Sequence, residues 1–119
     1  MKPGHTGIKR LFNAYRYSVQ GIVATYRYEE GFRLETWALA IAVVLASAIA
    51  DSPIEWAMMV GVVVLVMIVE ILNSAIESVV DRISSEQHPL AGRAKDQGSA
   101  AVFLAMLLVP LVWMAVILS

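Results

Sequence analysis

The last 23 residues of the chain, those after Asp96, carry no charged side chain. Residues 36–50 form a second uncharged stretch, and 59% of the whole sequence is hydrophobic. Such a chain is more apolar than an ordinary soluble domain, and a single apolar segment crosses a bilayer as a helix. The sequence therefore predicts an all-α integral membrane protein.

Four helices are predicted from the spacing of apolar residues and from the turn residues. Apolar residues recur at helical spacing with basic residues between them over residues 8–28, which predicts an amphipathic helix on the membrane surface. Packing of that helix against other protein is the alternative. Membrane spans are expected at residues 32–50, 53–83 and 93–118, and a tight turn at Asp51 and Ser52 makes the first two an antiparallel hairpin. Residues 1–119 are expected to form one membrane domain.

The basic residues predict the orientation of the chain. All nine Lys and Arg residues lie within residues 2–33 or 82–95. Because basic residues are retained on the cytoplasmic side of a membrane, both regions are expected to face the cytoplasm. The N-terminus is then cytoplasmic and the C-terminus lies on the far side. The lipid bilayer is the expected environment, and no nucleic-acid partner is expected.

Four polar side chains share one face of the second span: Glu70, Asn73, Glu77 and Asp81. At about 100° per residue they fall near 0°, 300°, 340° and 20°, a narrow stripe on an otherwise apolar helix. Ionisable groups at membrane depth are functional candidates by default. Oxygen ligands of this kind suit Mg²⁺, and Glu29, where the surface helix meets the first span, is placed to complete a metal site. Interhelical hydrogen bonds and ion pairs are the structural alternative.

Basic residues follow this acidic stripe along the chain: Arg82, Arg93 and Lys95, with Asp96 and Ser99 beside them. Carboxylates and cations at the cytoplasmic face fit phosphoryl transfer, because a carboxylate helps to deprotonate an acceptor hydroxyl while cations offset the charge of the phosphoryl group. The chain has no GxxxxGK[ST] loop, so a nucleotide site must be built differently.

Two long motifs, EILNSAIESVVDRI at residues 70–83 and GRAKDQGSAAV at residues 92–102, resemble the signature of the small bacterial integral-membrane diacylglycerol kinases. The segments RLFNAYRYS and YEEGFRLE extend the resemblance over nearly the whole chain. It implies a homotrimer in the bacterial inner membrane, with a cytoplasmic N-terminus, a periplasmic C-terminus and active sites shared between protomers. It also implies transfer of the γ-phosphate of MgATP to diacylglycerol, giving phosphatidic acid in phospholipid turnover.

The resemblance also implies roles for individual residues. Glu70 would be the catalytic base, supported by Asn73 and Asp81, while Glu29 and Glu77 would hold the cofactor Mg²⁺. The further residues that would contact ATP are Arg10, Tyr17, Glu86, His88, Lys95 and Asp96. The residues that would contact the lipid substrate are Arg10, Ala14, Tyr15, Ser18, Val19, Gly31, Arg33, Glu35, Glu70, Ser99 and Trp113.

Two positions depart from the family pattern, and two other functions stay open. Leu34 stands where glutamine is common, and Gln87 stands where an aromatic residue precedes His88. An undecaprenol kinase would share the acidic helix and the AKD segment, although the DRI and GSAAV sequences favour the diacylglycerol type. From another class, a non-enzymatic channel or assembly subunit would use the acidic stripe to line a pore or bind a partner helix.

Overall fold

A computed structural model describes residues 7–83 and 88–119 of the chain. These residues form the helices α1 (Gly7–Tyr28), α2 (Glu30–Ile49), α3 (Pro53–Ile83) and α4 (Pro89–Leu118). Within the two described ranges there is no β-strand. Helices α2, α3 and α4 are each long and apolar enough to cross a membrane, which confirms the prediction of an all-α protein with three candidate spans.

The turn between α2 and α3 is short and closed by reciprocal capping. Ser52 Oγ accepts a hydrogen bond from the backbone N–H of Glu55 (3.2 Å), and Glu55 Oε1 accepts one from the backbone N–H of Asp51 (2.8 Å). Pro53 then begins α3, where its missing N–H leaves no hydrogen bond unmade. Residues 50–52 are therefore sufficient to reverse the chain direction between the two helices.

Helix α4 begins at Pro89, four residues before the predicted start at residue 93. His88 has an extended backbone, and its Nδ1 accepts a hydrogen bond from the backbone N–H of Leu90 (3.1 Å). This bond caps the helix, and Pro89 fits the first turn because its φ is already helical. The predicted loop was too long, because Pro89 begins a helix and does not lie in the loop.

The most buried part of the bundle lies next to the α2–α3 turn. Ala46 of α2 and Met59 of α3 are fully buried, and Trp113 of α4 donates its indole N–H to the carbonyl oxygen of Met59 (3.0 Å). Most other large apolar side chains point outward from the described helices. An outer surface this apolar is suited to contact with lipid tails or with other membrane helices.

The C-terminal part of helix α1 contacts the rest of the bundle. Thr25 is buried there, whereas Ile8, Leu11, Phe12 and Tyr15 are exposed along the rest of the helix. The corner between α1 and α2 is a single extended residue, Glu29, with φ −117° and ψ 110°. The direction in which α1 leaves the bundle is therefore set at Glu29.

Candidate functional site

The acidic stripe of α3 faces a different neighbour at each of its levels. Glu70 and Glu77 are half-buried, Asn73 is buried, and Asp81 is exposed. Glu70 faces α2, Asn73 faces α4 and Asp81 pairs with α4. The stripe predicted from helical spacing is thus the surface at which α3 meets its neighbours over its C-terminal half.

Glu70 and Glu35 bring two carboxyl groups together between α3 and α2. The two carboxyl groups lie close enough for their charges to repel each other, and Glu35 Oε1 is buried with no hydrogen-bond partner among the described residues. Gly31, one turn before Glu35 on α2, lies against Glu70, since a Cβ added at Gly31 would be in ordinary van der Waals contact with Glu70 Oε1, at 3.7 Å. The structure therefore unites the predicted base with two residues predicted to contact the lipid.

Glu29 reaches α3 through Ser74. Ser74 Oγ donates a hydrogen bond of 2.9 Å to Glu29 Oε1, across 45 residues of sequence. Ser74 was not predicted from the sequence, although at about 40° from Glu70 it lies at the edge of the acidic stripe, next to Asp81. Its angular position was a signal that could have identified it, had hydroxyls been counted with the carboxylates and the amide.

Glu77 is the point at which the charges of the site converge. Its carboxylate lies within electrostatic range of Glu29, Glu70 and Asp81, which repel it, and of Lys95, which attracts it. A cation bound among these carboxylates would offset their mutual repulsion. The predicted metal ligands Glu29 and Glu77 are thus placed near each other, on separate elements.

The carboxylates of Glu29 and Glu77 fit an open Mg²⁺ site, in which water and substrate supply the other ligands, rather than a site built of protein ligands alone. Within the described part of the chain, no group of three or more His, Asp or Glu side chains is close enough to hold a metal. Mg²⁺ commonly takes one or two carboxylates and completes its shell with water and substrate phosphates. Two carboxylates at an open site match that pattern.

Lys95 forms an ion pair with Asp81 rather than standing free. Lys95 Nζ lies 2.6 Å from Asp81 Oδ1, and the side chains are 44% and 64% exposed. A pair this exposed contributes little to stability. Its value is positional, because it holds a cation over the end of the acidic stripe.

Asn73 and Gly98 mark the closest approach between α3 and α4 at the site. A Cβ added at Gly98 would overlap Asn73 Oδ1. That oxygen is buried and has no hydrogen-bond partner among the described residues. Gly98 belongs to a run of small residues whose sequence predicts close helix approach, but the sequence does not indicate that Asn73 is the side chain it meets.

Arg33 fixes the corner between α1 and α2. Its Nη1 donates to the carbonyl oxygens of Tyr26 and Arg27, both at 2.9 Å, in the last turn of α1. These carbonyls have no partner within the helix, and a cation there also opposes the helix dipole. Three of the five guanidinium N–H groups stay available, so the predicted lipid contact of Arg33 is compatible with this cap.

Replacing Arg33 with Ala should fray the last turn of α1, at a cost of about 1 kcal/mol, because two carbonyls lose a charged donor. Hydrogen exchange of the amides of residues 24–28 measures this directly. Arg27→Ala is the matched control, since it removes a neighbouring guanidinium and keeps both carbonyls and Arg33. Unchanged protection in the Arg33 variant would contradict the capping role.

The predicted residues of α1 lie apart from the acidic stripe. They are Arg10, Ala14, Tyr15, Tyr17, Ser18 and Val19. Arg10, Tyr15, Ser18 and Val19 are exposed, and Ser18 donates only to the carbonyl of Ala14, its own helix (2.8 Å). Among the described residues, none of this group makes a hydrogen bond or ion pair with the stripe.

The remaining predicted residues are spread over α4. His88 caps the helix, while Asp96 and Ser99 are exposed near Lys95. Trp113 bonds to Met59, which precedes Glu70 on α3 by about 17 Å of helix. Glu86, predicted to contact ATP, lies outside the described residues.

A three-span helical membrane protein with carboxylates from two elements gathered beside a lysine is the class that the fold and the site define. The model of the prokaryotic diacylglycerol kinase family matches residues 16–117. The diacylglycerol kinase of Escherichia coli K12 is 49% identical over 108 residues, covering 91% of this chain and 88% of its own. That of Haemophilus influenzae is 46% identical, covering 91% and 92%, and one from Helicobacter pylori is 38% identical, covering 93% and 87%.

The chain belongs to the prokaryotic diacylglycerol kinase family. It is therefore an enzyme, a lipid kinase embedded in the membrane, and the resemblance found in its motifs is confirmed. The alternative of a non-enzymatic channel or assembly subunit is wrong, because the chain belongs to a family of enzymes.

Proposed function

We propose that this protein transfers the γ-phosphate of ATP to diacylglycerol and so produces phosphatidic acid for phospholipid turnover. The observation that carries the proposal is the gathering of Glu29, Glu70 and Glu77 at one end of the bundle, with Lys95 beside them. The three carboxylates come from the α1–α2 corner and from α3, and Lys95 comes from α4. This arrangement offers a base, a pair of metal ligands and a cation within one site.

In the proposed reaction, Glu70 accepts the proton of the free hydroxyl of diacylglycerol. The hydroxyl oxygen forms a bond to the γ-phosphorus, and the bond from that phosphorus to the β–γ bridging oxygen breaks, which releases ADP. Glu35 lies against Glu70 and is placed to orient the glycerol hydroxyl by a hydrogen bond. Gly31 lies beside Glu70 and would contact the headgroup there.

Glu29 and Glu77 would hold Mg²⁺, which arrives with the nucleotide and offsets the charge of its phosphates. Lys95 would contribute a further positive charge to the phosphate chain, while Asp81 holds its ammonium group in place. Asn73 would support the site from the α4 side. Arg10, Tyr17, Glu86, His88 and Asp96 are the remaining proposed ATP contacts.

A homotrimer with shared sites accounts for the residues that one chain leaves apart. Arg10 and Tyr17 make no polar contact with the acidic stripe within the described part of one chain, although both are proposed to touch the nucleotide. A neighbouring protomer would bring such groups over the site. The exposed apolar surfaces of the spans provide room for this packing as well as for lipid contact.

The proposed location is the bacterial inner membrane, with α1 on its cytoplasmic surface and the C-terminus in the periplasm. The exposed apolar residues of α1, among them Ile8, Leu11 and Phe12, support a surface position. The basic residues near α1 and at the start of α4 support the orientation. Contacts from residues 14–19 would then guide the lipid toward Gly31 and Glu35.

The proposal is tested with purified protein in mixed micelles supplied with ATP labelled on the γ-phosphate, Mg²⁺ and a lipid acceptor. Diacylglycerol and undecaprenol are compared side by side at equal mole fraction. We expect labelled phosphatidic acid and much slower labelling of undecaprenol. Preferential labelling of undecaprenol would assign the enzyme to the other acceptor, and no labelled lipid at all would overturn the proposed reaction.

Replacing Glu77 with Ala should raise the Mg²⁺ concentration needed for half-maximal activity, because one of two protein ligands is lost. This Mg²⁺ concentration should rise roughly tenfold or more, since removing a group that only orients a metal ligand already lowers metal affinity by that factor. Titration of Mg²⁺ at fixed ATP measures it. Ser78→Ala, at the next position of α3 and exposed, is the control. An unchanged Mg²⁺ response would remove Glu77 from the metal site.

A further inference from the structure

The hydroxyl of Ser74 behaves differently from other hydroxyls in the described helices. Four of these donate to the carbonyl oxygen four residues earlier in their own helix: Ser18, Thr25, Thr36 and Ser47, at 2.7–2.9 Å. Ser74 instead donates across to Glu29 at 2.9 Å. The same local bond is open to any helical serine, so the carboxylate of Glu29 has displaced it.

The side chain of Glu29 likewise does not make the hydrogen bond that is available within its own helix. It occupies the N-cap position of α2, where a side-chain oxygen normally accepts a bond from the first turn of its own helix. The Glu29 side chain makes no such bond and reaches α3 instead. Glutamate is also a poor N-cap residue compared with Ser, Thr, Asp or Asn. The position is therefore used for a contact between elements rather than for capping.

The corner that carries Glu29 is held on its other side by Arg33, which caps the last turn of α1. The Arg33 cap sets where the backbone of Glu29 lies, and the Ser74 bond sets where its carboxylate lies. Ser74 is one turn from both Glu70 and Glu77 on α3, so the bond brings the Glu29 carboxylate to the level between them.

We propose that Ser74 is a positioning residue that anchors the Glu29 carboxylate beside Glu77, so that the two ligands are preorganised for Mg²⁺ before the nucleotide binds. The proposal rests on the metal role proposed for Glu29. One oxygen of the carboxylate accepts the bond from Ser74, which leaves the other for the metal. A partner of this kind holds a ligand in its binding orientation and lowers the cost of ordering it.

The first measurement is the affinity for the Mg²⁺ complex of β,γ-imido-ATP, determined by calorimetry in micelles. Ser74→Ala should weaken binding about tenfold, as expected for the loss of a group that orients a metal ligand. Ser74→Thr keeps the hydroxyl and should bind as the original protein does. Ser78→Ala, one turn along α3 on an exposed residue, should also leave affinity unchanged.

A double-mutant comparison separates anchoring from a direct role of Ser74. In a Glu29→Ala background, Ser74→Ala should produce much less than its tenfold effect, because both the carboxylate and the oxygen that accepts the Ser74 bond are already lost. The same tenfold effect in both backgrounds would show that Ser74 acts without Glu29 and would overturn the proposal. So would equal affinity of Ser74→Ala and the original protein.

A second measurement tests whether Ser74 anchors Glu29, and its result does not depend on the proposed kinase reaction. The chain has no cysteine, so Tyr28→Cys, at an exposed residue next to Glu29, accepts a single nitroxide label. We expect the label spectrum to report greater mobility with Ser74→Ala and the original mobility with Ser74→Thr. Identical spectra for all three would overturn the anchor. If the variants differ in label mobility but the micelle assay yields no labelled lipid, the proposed reaction is wrong and the anchoring of Glu29 by Ser74 still holds.

Discussion

Replacing Glu70 with Gln should lower the turnover number for phosphatidic acid formation by about 10²- to 10⁴-fold, the usual contribution of a general base. An amide has almost the same shape as the carboxyl group but does not accept the hydroxyl proton. Glu70 is half-buried against Glu35 and Gly31, so the substituted side chain stays in place. The KM for ATP should change little, because the proposed nucleotide ligands are other residues.

The measurement is the initial rate in mixed micelles at saturating ATP and diacylglycerol, with the helix content of the variant checked by circular dichroism. Glu55→Gln is the matched control, since it makes the same substitution at the other end of α3, where Gln still accepts the bond from the Asp51 N–H. Its turnover should equal that of the original protein. A Glu70→Gln variant that retained more than a tenth of the original turnover would exclude Glu70 as the base.

The spans were predictable because their determinants are local. The uncharged runs and the 3.6-residue period require apolar helices, and Ser52 with Pro53 forms a start signal that fixes where α3 begins. The acidic stripe followed from the same period, since Glu70, Asn73, Glu77 and Asp81 return to one face of a regular helix. That the stripe lies beside α2 follows from the antiparallel hairpin of α2 and α3, which was also predicted from local residues.

The partners of the stripe were not predictable in this way, because they depend on how the helices meet. Ser74 became part of the site only when the α1–α2 corner brought Glu29 to it. The capping of α1 by Arg33 joins residues six and seven positions apart across a change of helix, a contact that helical spacing does not encode. The pairing of Lys95 with Asp81 depends on how far α3 and α4 are shifted along each other, which the sequence does not show.

The contact of Gly98 with Asn73 is the clearest of this second kind, and replacing Gly98 with Ala should destabilise the protein by about 1–3 kcal/mol, the range for overfilling a packed site. The added methyl group would overlap the Asn73 amide. Asn73 is buried at 9% exposure, so its side chain has little space in which to turn away. Because α3 and α4 meet here, the proposed support of the site by Asn73 should weaken as well, and turnover should fall together with stability.

Unfolding by titration with sodium dodecyl sulfate in mixed micelles, at fixed protein concentration and followed by tryptophan fluorescence, measures the change. Gly92→Ala is the matched control on α4, because nothing lies within 4 Å of an added Cβ there. It should be neutral or stabilising by up to about 1 kcal/mol, since alanine favours a helix over glycine. In an Asn73→Ala background, Gly98→Ala should cost much less, because the group that it overlaps has been removed. Equal costs in the two backgrounds would show that the restriction at Gly98 comes from another contact.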